Sequence, residues 1–148
     1  MSQMTSRVHI DAPPEAVFDF IDRWENAMRY LHRVDRWVLV DPQGGTGVGA
    51  VFKIGVQAGP THLDGRLQVT EHDRPRRIAF KSLDGPAVVG SWTLTPAGAG
   101  TDVVLHSDYN LPGGIVGRVV GAFVSRNAQN DLDASLRDLK RLVEEESR

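Results

Sequence analysis

The sequence predicts an α+β protein in which an antiparallel sheet of about seven strands packs against a long C-terminal helix. Six strand-like segments follow one another between residues 34 and 111, and the stretches that separate them have turn composition: DPQGGTG, AGP, DRPR, DGP and AGAG. Consecutive strands joined by such short turns pair antiparallel. From Pro112 onward the chain has the pattern of one helix of some 30 residues, about 45 Å long, which is long enough to lie across one face of the sheet.

The segment before this meander adds a first strand and two short helices. Residues 3–10, QMTSRVHI, predict a strand because Val8 and Ile10 place apolar side chains at alternate positions. DAPPEAVFDFID follows, with prolines suited to the first turn of a helix and apolar residues at helical spacing. ENAMRYL then predicts a second short helix before the second strand.

Alternation along the strands predicts which side chains face the covered side of the sheet. The inner face comes out apolar and aromatic, with a few hydroxyl groups and with no arginine or carboxylate, whereas Asp64 and Arg66 face water. The strand VDRWVLV stays ambiguous, because both of its parities carry apolar residues. The inner set is Ala50, Phe52, Ile54, Val56, Leu63, Gly65, Leu67, Val69, Ile78, Phe80, Ser82, Val88, Gly90, Trp92, Leu94, Val103, Leu105, Ser107 and Tyr109.

The C-terminal helix changes character halfway along its length. Its rear half gathers one apolar stripe at ~100° per residue, which predicts the face that packs on the sheet: Leu132, Leu136, Leu139, Leu142 and Val143. In the front, N-terminal half of the helix, the same stripe consists of small residues. The large residues of the front half, LPGGIVGRVVGAFV at 111–124, point elsewhere.

Two arrangements account for this mismatch. A bend near Gly121–Asn127 turns Val116, Val119 and Phe123 inward, and we favour this arrangement. A straight helix instead presents an outward apolar patch that suits a homodimer or a membrane surface. Glycine inside a helix costs ~1 kcal/mol relative to alanine, so the front half is predicted to be the more mobile part.

Composition argues against several classes of protein. With 148 residues, 41% of them hydrophobic and 24% charged, the chain fits one domain, residues 1–148. A net charge of −2 offers no electrostatic grip on nucleic acid, and the lack of cysteine excludes disulfides and thiolate chemistry. No segment reaches the roughly 18 apolar residues of a membrane span, and MSQMTSRVHID lacks the apolar run of a signal peptide. We therefore expect a cytoplasmic protein with no nucleic-acid partner and no integral membrane association.

Motifs for metals, cofactors and nucleophiles are weak. The histidines show no HxxxH or HxH spacing, and His9, His106 and Asp108 would approach one another only on a solvated sheet face, so we expect no metal site. GTGVGA at 45–50 resembles a dinucleotide loop, but a strand follows it where a helix is required, so we interpret it as a turn. The chain has no GxSxG nucleophile motif. We expect no cofactor.

Three segments carry a resemblance to a known family: IDAPPEAVFDFI, ENAMRYLHRV and GSWTLTPAGAGTDVVLHSDY. Together with the order of elements, they resemble the polyketide cyclase/dehydrase branch of the START-like, Bet v 1-like (SRPBCC) superfamily over nearly the whole chain. The resemblance implies a helix-grip fold, in which a curved sheet wraps the C-terminal helix and leaves a ligand cavity. Members include ligand carriers, hormone receptors and aromatase/cyclases, so the fold alone does not select a function.

The apolar interior and this resemblance lead us to expect a bacterial-type binder or carrier of a hydrophobic small molecule such as a lipid, polyketide or isoprenoid. The alternatives are a polyketide aromatase/cyclase or dehydrase, with Tyr109 as a weak catalytic candidate, and an interaction module that uses the apolar front of the last helix. Tyr30 and His32 are expected at the cavity mouth. The candidate ligand-binding residues are Tyr30, Phe52, Ile54, Leu67, Phe80, Trp92, Leu105, Ser107, Tyr109, Val116, Val119 and Phe123.

Overall fold

The computed structural model describes residues 2–41, 45–58, 60–85, 87–110 and 114–147, and in the last helix it describes side chains from residue 128 onward. The strands are β1 (Ser2–Ile10), β2 (Val34–Leu39), β3 (Val51–Ala58), β4 (Thr61–Asp73), β5 (Arg77–Asp84), β6 (Ala87–Ala97) and β7 (Gly100–Asn110). The helices are α1 (Pro14–Asp22), α2 (Ala27–Tyr30) and α3 (Gly114–Glu146), and a 3-10 turn at Trp24–Asn26 leads into α2.

The strands form one antiparallel sheet in the order β1-β7-β6-β5-β4-β3-β2. Strands β2 to β7 follow one another as a meander, and β1 pairs with β7 along its whole length, from Ser2 opposite Tyr109 to Ile10 opposite Thr101. The first strand therefore lies beside the last, and β1 and β2 are the edges of the sheet. The predicted α+β class, the seven antiparallel strands, the two short helices and the long C-terminal helix are all confirmed.

The glycine-rich segment at 45–50 leads into a strand and not into a helix. Residues 46–49 form bends and a turn, in which Gly49 has a φ of +94° that favours glycine. The N–H of Gly49 donates to the carbonyl oxygen of Val69 at 2.9 Å, which anchors the turn on β4. Strand β3 begins at Val51, so Ala50, the first residue of the predicted inner set, lies just before it.

A bulge in β2 explains why its sequence was ambiguous. The pairing of β2 with β3 shifts register between Val34 and Arg36. Beyond that shift Trp37 and Leu39 point inward, while Val38 lies on the outer face and is 45% exposed. A one-residue shift exchanges the two faces of a strand. The inward positions are therefore even-numbered before the bulge, at Val34, and odd-numbered after it, at Trp37 and Leu39.

The rear half of α3 packs on the sheet through the predicted stripe. Leu136, Leu139 and Val143 are at most 1% exposed, and Leu132 and Leu142 pack beside them. Polar side chains of α3 also bind along the edge strand β1: Gln129 donates to the carbonyl of Thr5 at 3.1 Å, Asp133 accepts from the hydroxyl of Ser6 at 2.6 Å, and Lys140 donates to the carbonyl of His9 at 2.9 Å. These contacts fix α3 toward the β1 side of the sheet.

One fully buried part of the core lies where α1 meets the end of β1 and the start of β7. Ile10, Val17, Phe18 and Val103 are fully buried there. The hydroxyl of Thr101, also fully buried, donates to the carbonyl of Ala12 at 2.8 Å, so this polar group is satisfied within the core. The part of the sheet beside the end of β1 and the start of β7 is therefore closed by packed side chains.

The front half of α3 is helical from Gly114, but the predictions that concern its side chains lie outside the described residues. They are the inward turn of Val116, Val119 and Phe123, the bend near Gly121–Asn127, and the outward apolar patch. Within the part of the chain that the structure describes, no helix combines the length and the apolar character needed to cross a membrane.

We expect Leu139→Ala to lower the free energy of unfolding by about 2–5 kcal/mol, because the fully buried side chain would leave a cavity. Leu142→Ala, on the same stripe but only partly buried, should cost about 1 kcal/mol. Urea denaturation with unchanged m-values would measure both. Equal losses at the two positions would contradict the packing described for α3.

Candidate functional site

A cavity of about 380 Å³ lies between the inner face of the sheet and α3. All seven strands contribute to its wall, and residues 128–135 of α3 cover it from the other side. Its volume lies within the range of sites that bind small organic molecules. We refer to it as the main cavity.

Large apolar side chains form most of the wall of the main cavity. Leu67, Trp92 and Leu105 come from β4, β6 and β7 and are at most 7% exposed. Ile54 of β3 and Phe80 of β5 complete the floor. Each of them occupies the inner parity of its strand, so the pleat of the sheet brings them to one surface.

Gly90 gives the ring of Phe80 its position. The two residues lie opposite each other in the β5–β6 pairing. A Cβ atom at Gly90 would lie 2.6 Å from Cζ of Phe80 and 2.8 Å from the carbonyl oxygen of His106. The ring therefore rests against a stretch of β6 backbone that only glycine leaves clear.

Three hydroxyl groups interrupt the apolar wall. Ser82 accepts the N–H of Val88 at 3.0 Å, which holds its side chain against the start of β6. Ser107 and Tyr109 lie on β7, and Tyr109 is 6% exposed and stands opposite Val88. An apolar ligand with one polar group would find hydrogen-bonding partners on this side of the cavity.

Charged residues cluster at an exposed end of the main cavity, where β3 and β5 end and β2 and β4 begin, and we call this end its mouth. Arg33 and Asp64 have side chains that are 60% and 62% exposed. Arg33 Nε lies 3.4 Å from Oδ2 of Asp131 on α3, and Asp84 accepts from Nε of Arg66 at 2.7 Å. The mouth thus combines both signs of charge among the described residues.

The corner between α2 and β2 is fixed to α3 by hydrogen bonds. The N–H of His32 donates to the hydroxyl of Ser135 at 2.8 Å, and its ring Nε2 lies 2.7 Å from Oδ2 of Asp138. The hydrogen bond to His32 holds the pKa of Asp138 below its usual value. Arg33 adopts a φ of +69°, and its carbonyl accepts the N–H of Gln57 at 2.8 Å. The left-handed turn at Arg33 reverses the chain into β2.

A second cavity of about 60 Å³ lies deeper, toward α1. Tyr30 lines it and is 3% exposed, with ring centroids 6.1 Å from Phe20 and 6.3 Å from Trp92. Burial raises the pKa of the Tyr30 phenol above its usual value. Tyr30 was expected at the mouth. It points inward instead, because α2 ends directly after it and the chain reaches the mouth only at His32 and Arg33.

The structure brings most of the candidate ligand-binding residues to one of these two cavities. Those that line the main cavity are Ile54, Leu67, Phe80, Trp92, Leu105, Ser107 and Tyr109. Tyr30 and Phe52 line the second cavity, which Leu67, Phe80 and Trp92 also reach. Val116, Val119 and Phe123 lie outside the described side chains. That these residues bind a ligand stays a prediction.

Several lining residues were not found from the sequence. Trp37 was hidden by the bulge in β2, and Arg33 lies in a turn whose positive φ has no clear sequence signal. Asp84 follows a register shift between β4 and β5 and pairs with Arg66, so the alternation of Ile78, Phe80 and Ser82 does not extend to it.

Each of the five histidines lies beside one or two carboxylates. His9 lies 2.7 Å from Asp102 directly across the β1–β7 pairing, and His106 lies 3.3 Å from Asp108. The partner of His106 on β1 is Thr5, four residues from His9, so the two histidines do not converge. Among the described residues, no three potential ligands come close enough to hold a metal ion.

Residues 1–144 match the family model described as "Polyketide cyclase / dehydrase and lipid transport". The chain belongs to this family, as its sequence resemblance indicated. No functionally curated protein matches it at a significant level.

Solved structures show the same fold. TTHA0849 from Thermus thermophilus is 25% identical, with a TM-score of 0.85 over 99% of this chain and 100% of that one. The aromatase/cyclase ZhuI from Streptomyces sp. R1128 is 20% identical, with a TM-score of 0.76 over 96% and 95%. Ara h 8.0201 is 14% identical, with a TM-score of 0.65 over 96% and 97%. These similarities confirm the helix-grip fold, in which the curved sheet wraps the C-terminal helix.

His62 provides a test of the electrostatics beside the mouth. Its ring lies 2.8 Å from Asp35 on β2 and 3.4 Å from Asp64, and mainly the hydrogen bond to Asp35 raises the pKa of His62 above 6.5. A raised folded-state pKa means that the pair stabilises the fold below pH 6.5, and that this contribution is lost as the pH rises through the folded-state pKa.

We expect Asp35→Asn to lower the pKa of His62 toward 6.5 and to reduce this pH dependence of stability, of which Asp64 supplies the smaller part. NMR titration of the ring and urea denaturation across the same pH range would measure both. Asp73→Asn is the control, because Asp73 lies at the far end of β4 and pairs with Arg76. An unchanged pKa of His62 in Asp35→Asn would contradict the role of this pair.

Proposed function

We propose that this member of the polyketide cyclase/dehydrase and lipid transport family binds a hydrophobic small molecule in the main cavity, with residues 1–148 acting as one binding domain. The observation that carries the proposal is a cavity of about 380 Å³ whose floor consists of large apolar side chains. Such side chains in a close-packed core would be in contact with one another; here they face open space. A lipid, a polyketide or an isoprenoid is the class of ligand that this wall favours.

Burial drives binding in such a site, and the few polar groups orient the ligand. Each methylene transferred from water to the cavity contributes about 0.8 kcal/mol. Ser107 and Tyr109 supply hydrogen bonds on the β7 side, and the charged residues at the mouth keep that end hydrated. The bound molecule would therefore place its apolar part against Leu67, Trp92 and Leu105 and its most polar part toward the mouth.

Native mass spectrometry of the protein purified from its source tests the proposal directly. We expect an apolar small molecule to co-purify and to be released on unfolding. Trp37 and Trp92 line the cavity, so ligand uptake should also change the tryptophan fluorescence. A protein that carries no ligand and takes up no apolar probe would contradict the proposed function.

We expect Val88→Phe to weaken binding of the neutral dye Nile red by about tenfold or more, which corresponds to about 1.4 kcal/mol. Val88 lines the main cavity, so the added ring would take up space that the ligand needs. Val89→Phe is the matched control, since the adjacent valine is 52% exposed on the outer face and its replacement should leave the affinity unchanged. Fluorescence titration measures both. Equal effects of the two substitutions would place the dye elsewhere.

A second candidate function is that of a polyketide aromatase/cyclase or dehydrase. The observation that favours it is the phenol of Tyr109, which lines the main cavity and offers an acid where a carbonyl of a bound poly-β-keto chain would lie. The charged residues near Tyr109 along the chain, by contrast, point to the outer face, where His106 and Asp108 pair with each other.

If this candidate is right, Tyr109→Phe should lower kcat for a poly-β-keto substrate by about 10²-fold or more, the usual contribution of a general acid. The substitution removes one oxygen and keeps the ring, so thermal unfolding should show that the fold is retained. Product analysis by mass spectrometry follows the reaction. The absence of turnover by the wild-type protein across a panel of such substrates would reject the enzyme and leave the binder.

A further inference from the structure

The main cavity and the second cavity are neighbours that share one wall. Five residues line both of them: Leu31, Trp37, Leu67, Phe80 and Trp92. They come from the α2–β2 corner and from β2, β4, β5 and β6, so side chains from separate elements meet between the two spaces. We call this group the partition.

Most of the partition is held from behind by the packing of the core. The ring of Trp37 lies 5.8 Å from that of Phe52, and the ring of Trp92 meets the edge of Tyr30 at 6.3 Å. Trp92 and Leu67 are 7% and 4% exposed, which leaves them little freedom to move. Phe80 is partly buried, as Leu31 and Trp37 are, and its ring rests against the backbone that Gly90 leaves bare.

The space behind the partition is also apolar. The second cavity is lined there by buried side chains such as Ile21, Phe52, Val69 and Ile78. Three polar residues, Asp22, Thr46 and Gln68, also line this cavity, but most of its lining is apolar, so an alkyl chain that passed the partition would bury further apolar surface. What stops such a chain is the volume of the partition itself, not the chemistry behind it.

We propose that the partition sets the length of apolar chain that the main cavity accepts, and that Phe80 is the residue that determines this length. The inference rests on the proposed binding function. It assigns the ligand to amphiphiles with a single slender chain, whose polar end stays at the mouth near Arg33 and Asp131 and whose apolar end reaches Phe80. Removal of the Phe80 ring would join the two cavities into one longer space.

Primary n-alcohols from hexanol to tetradecanol are the probes, since they differ only in chain length. In the wild-type protein the affinity should rise about fourfold with each methylene until the chain reaches the partition, and should then stop rising. We call the chain length at which the affinity stops rising the break. Phe80→Ala should move the break to longer chains, and the affinity should again rise about fourfold for each further methylene buried. Isothermal titration or competition with Nile red gives the affinities.

Ile78→Ala is the matched control. Ile78 lines the second cavity alone, so its truncation enlarges the inner space and leaves the partition in place, and the break should stay at the wild-type chain length. Phe80→Leu is a second variant for the case that alanine impairs folding. It keeps an apolar side chain but loses the ring, and the break should move by a smaller amount. Thermal unfolding shows which variants are folded.

The outcomes separate this inference from the proposed function. A wild-type protein that binds the alcohols with a break, together with a folded Phe80→Ala or Phe80→Leu variant that keeps the same break, would overturn the role of Phe80 and leave the binding function intact. A break that moves equally in Ile78→Ala would also overturn it. A wild-type protein that binds none of the alcohols would overturn both.

Discussion

One helix has to cover the concave face of a seven-stranded sheet, and the cavity follows from this constraint. The leucine stripe of α3 packs against the core, and its polar side chains bind along β1, so the helix lies toward one edge of the sheet. An α-helix with its side chains is about 10–12 Å wide, whereas strands lie about 4.8 Å apart. The helix therefore covers only part of the sheet, and inner side chains such as Ile54, Leu67 and Phe80 face an open cavity.

The two ends of the sheet differ in what occupies the space that α3 leaves uncovered. At one end α1 fills the space with fully buried residues such as Val17 and Phe18. At the other end the chain supplies turns and charged side chains, and the corner at His32 and Arg33 is tied to α3 and β3 by hydrogen bonds. The cavity consequently has an apolar inner end and a charged outer end, which is the basis for the ligand orientation that we propose.

Sequence reasoning succeeded where a strict period governs the structure. Alternation placed Ile54, Leu67, Phe80, Trp92 and Leu105 on one face, because the register shifts between β4 and β5 fall outside the stretch that pairs Leu67 with Ser82 and Val69 with Phe80. It failed where the period is broken or absent, as at the bulge beside Trp37 and the positive φ at Arg33. It also failed for Tyr30, whose inward direction depends on where a four-residue helix ends. The positions of these residues depend on tertiary packing, which the local sequence pattern does not determine.

An unfilled cavity lowers the stability of the folded protein, and this loss of stability links the fold to a ligand. Side chains that face a void lose the dispersion contacts that a packed neighbour would give them, so the unliganded protein is less stable than a filled one. A molecule that binds only the folded state raises stability by RT ln(1 + [L]/Kd), about 2.7 kcal/mol at a hundredfold excess over Kd. The partition limits this loss, because Phe80, Trp37 and Trp92 divide the interior and pack against Gly90, Phe52 and Tyr30. The same side chains that support the sheet without a ligand thus bound the space that a ligand can fill.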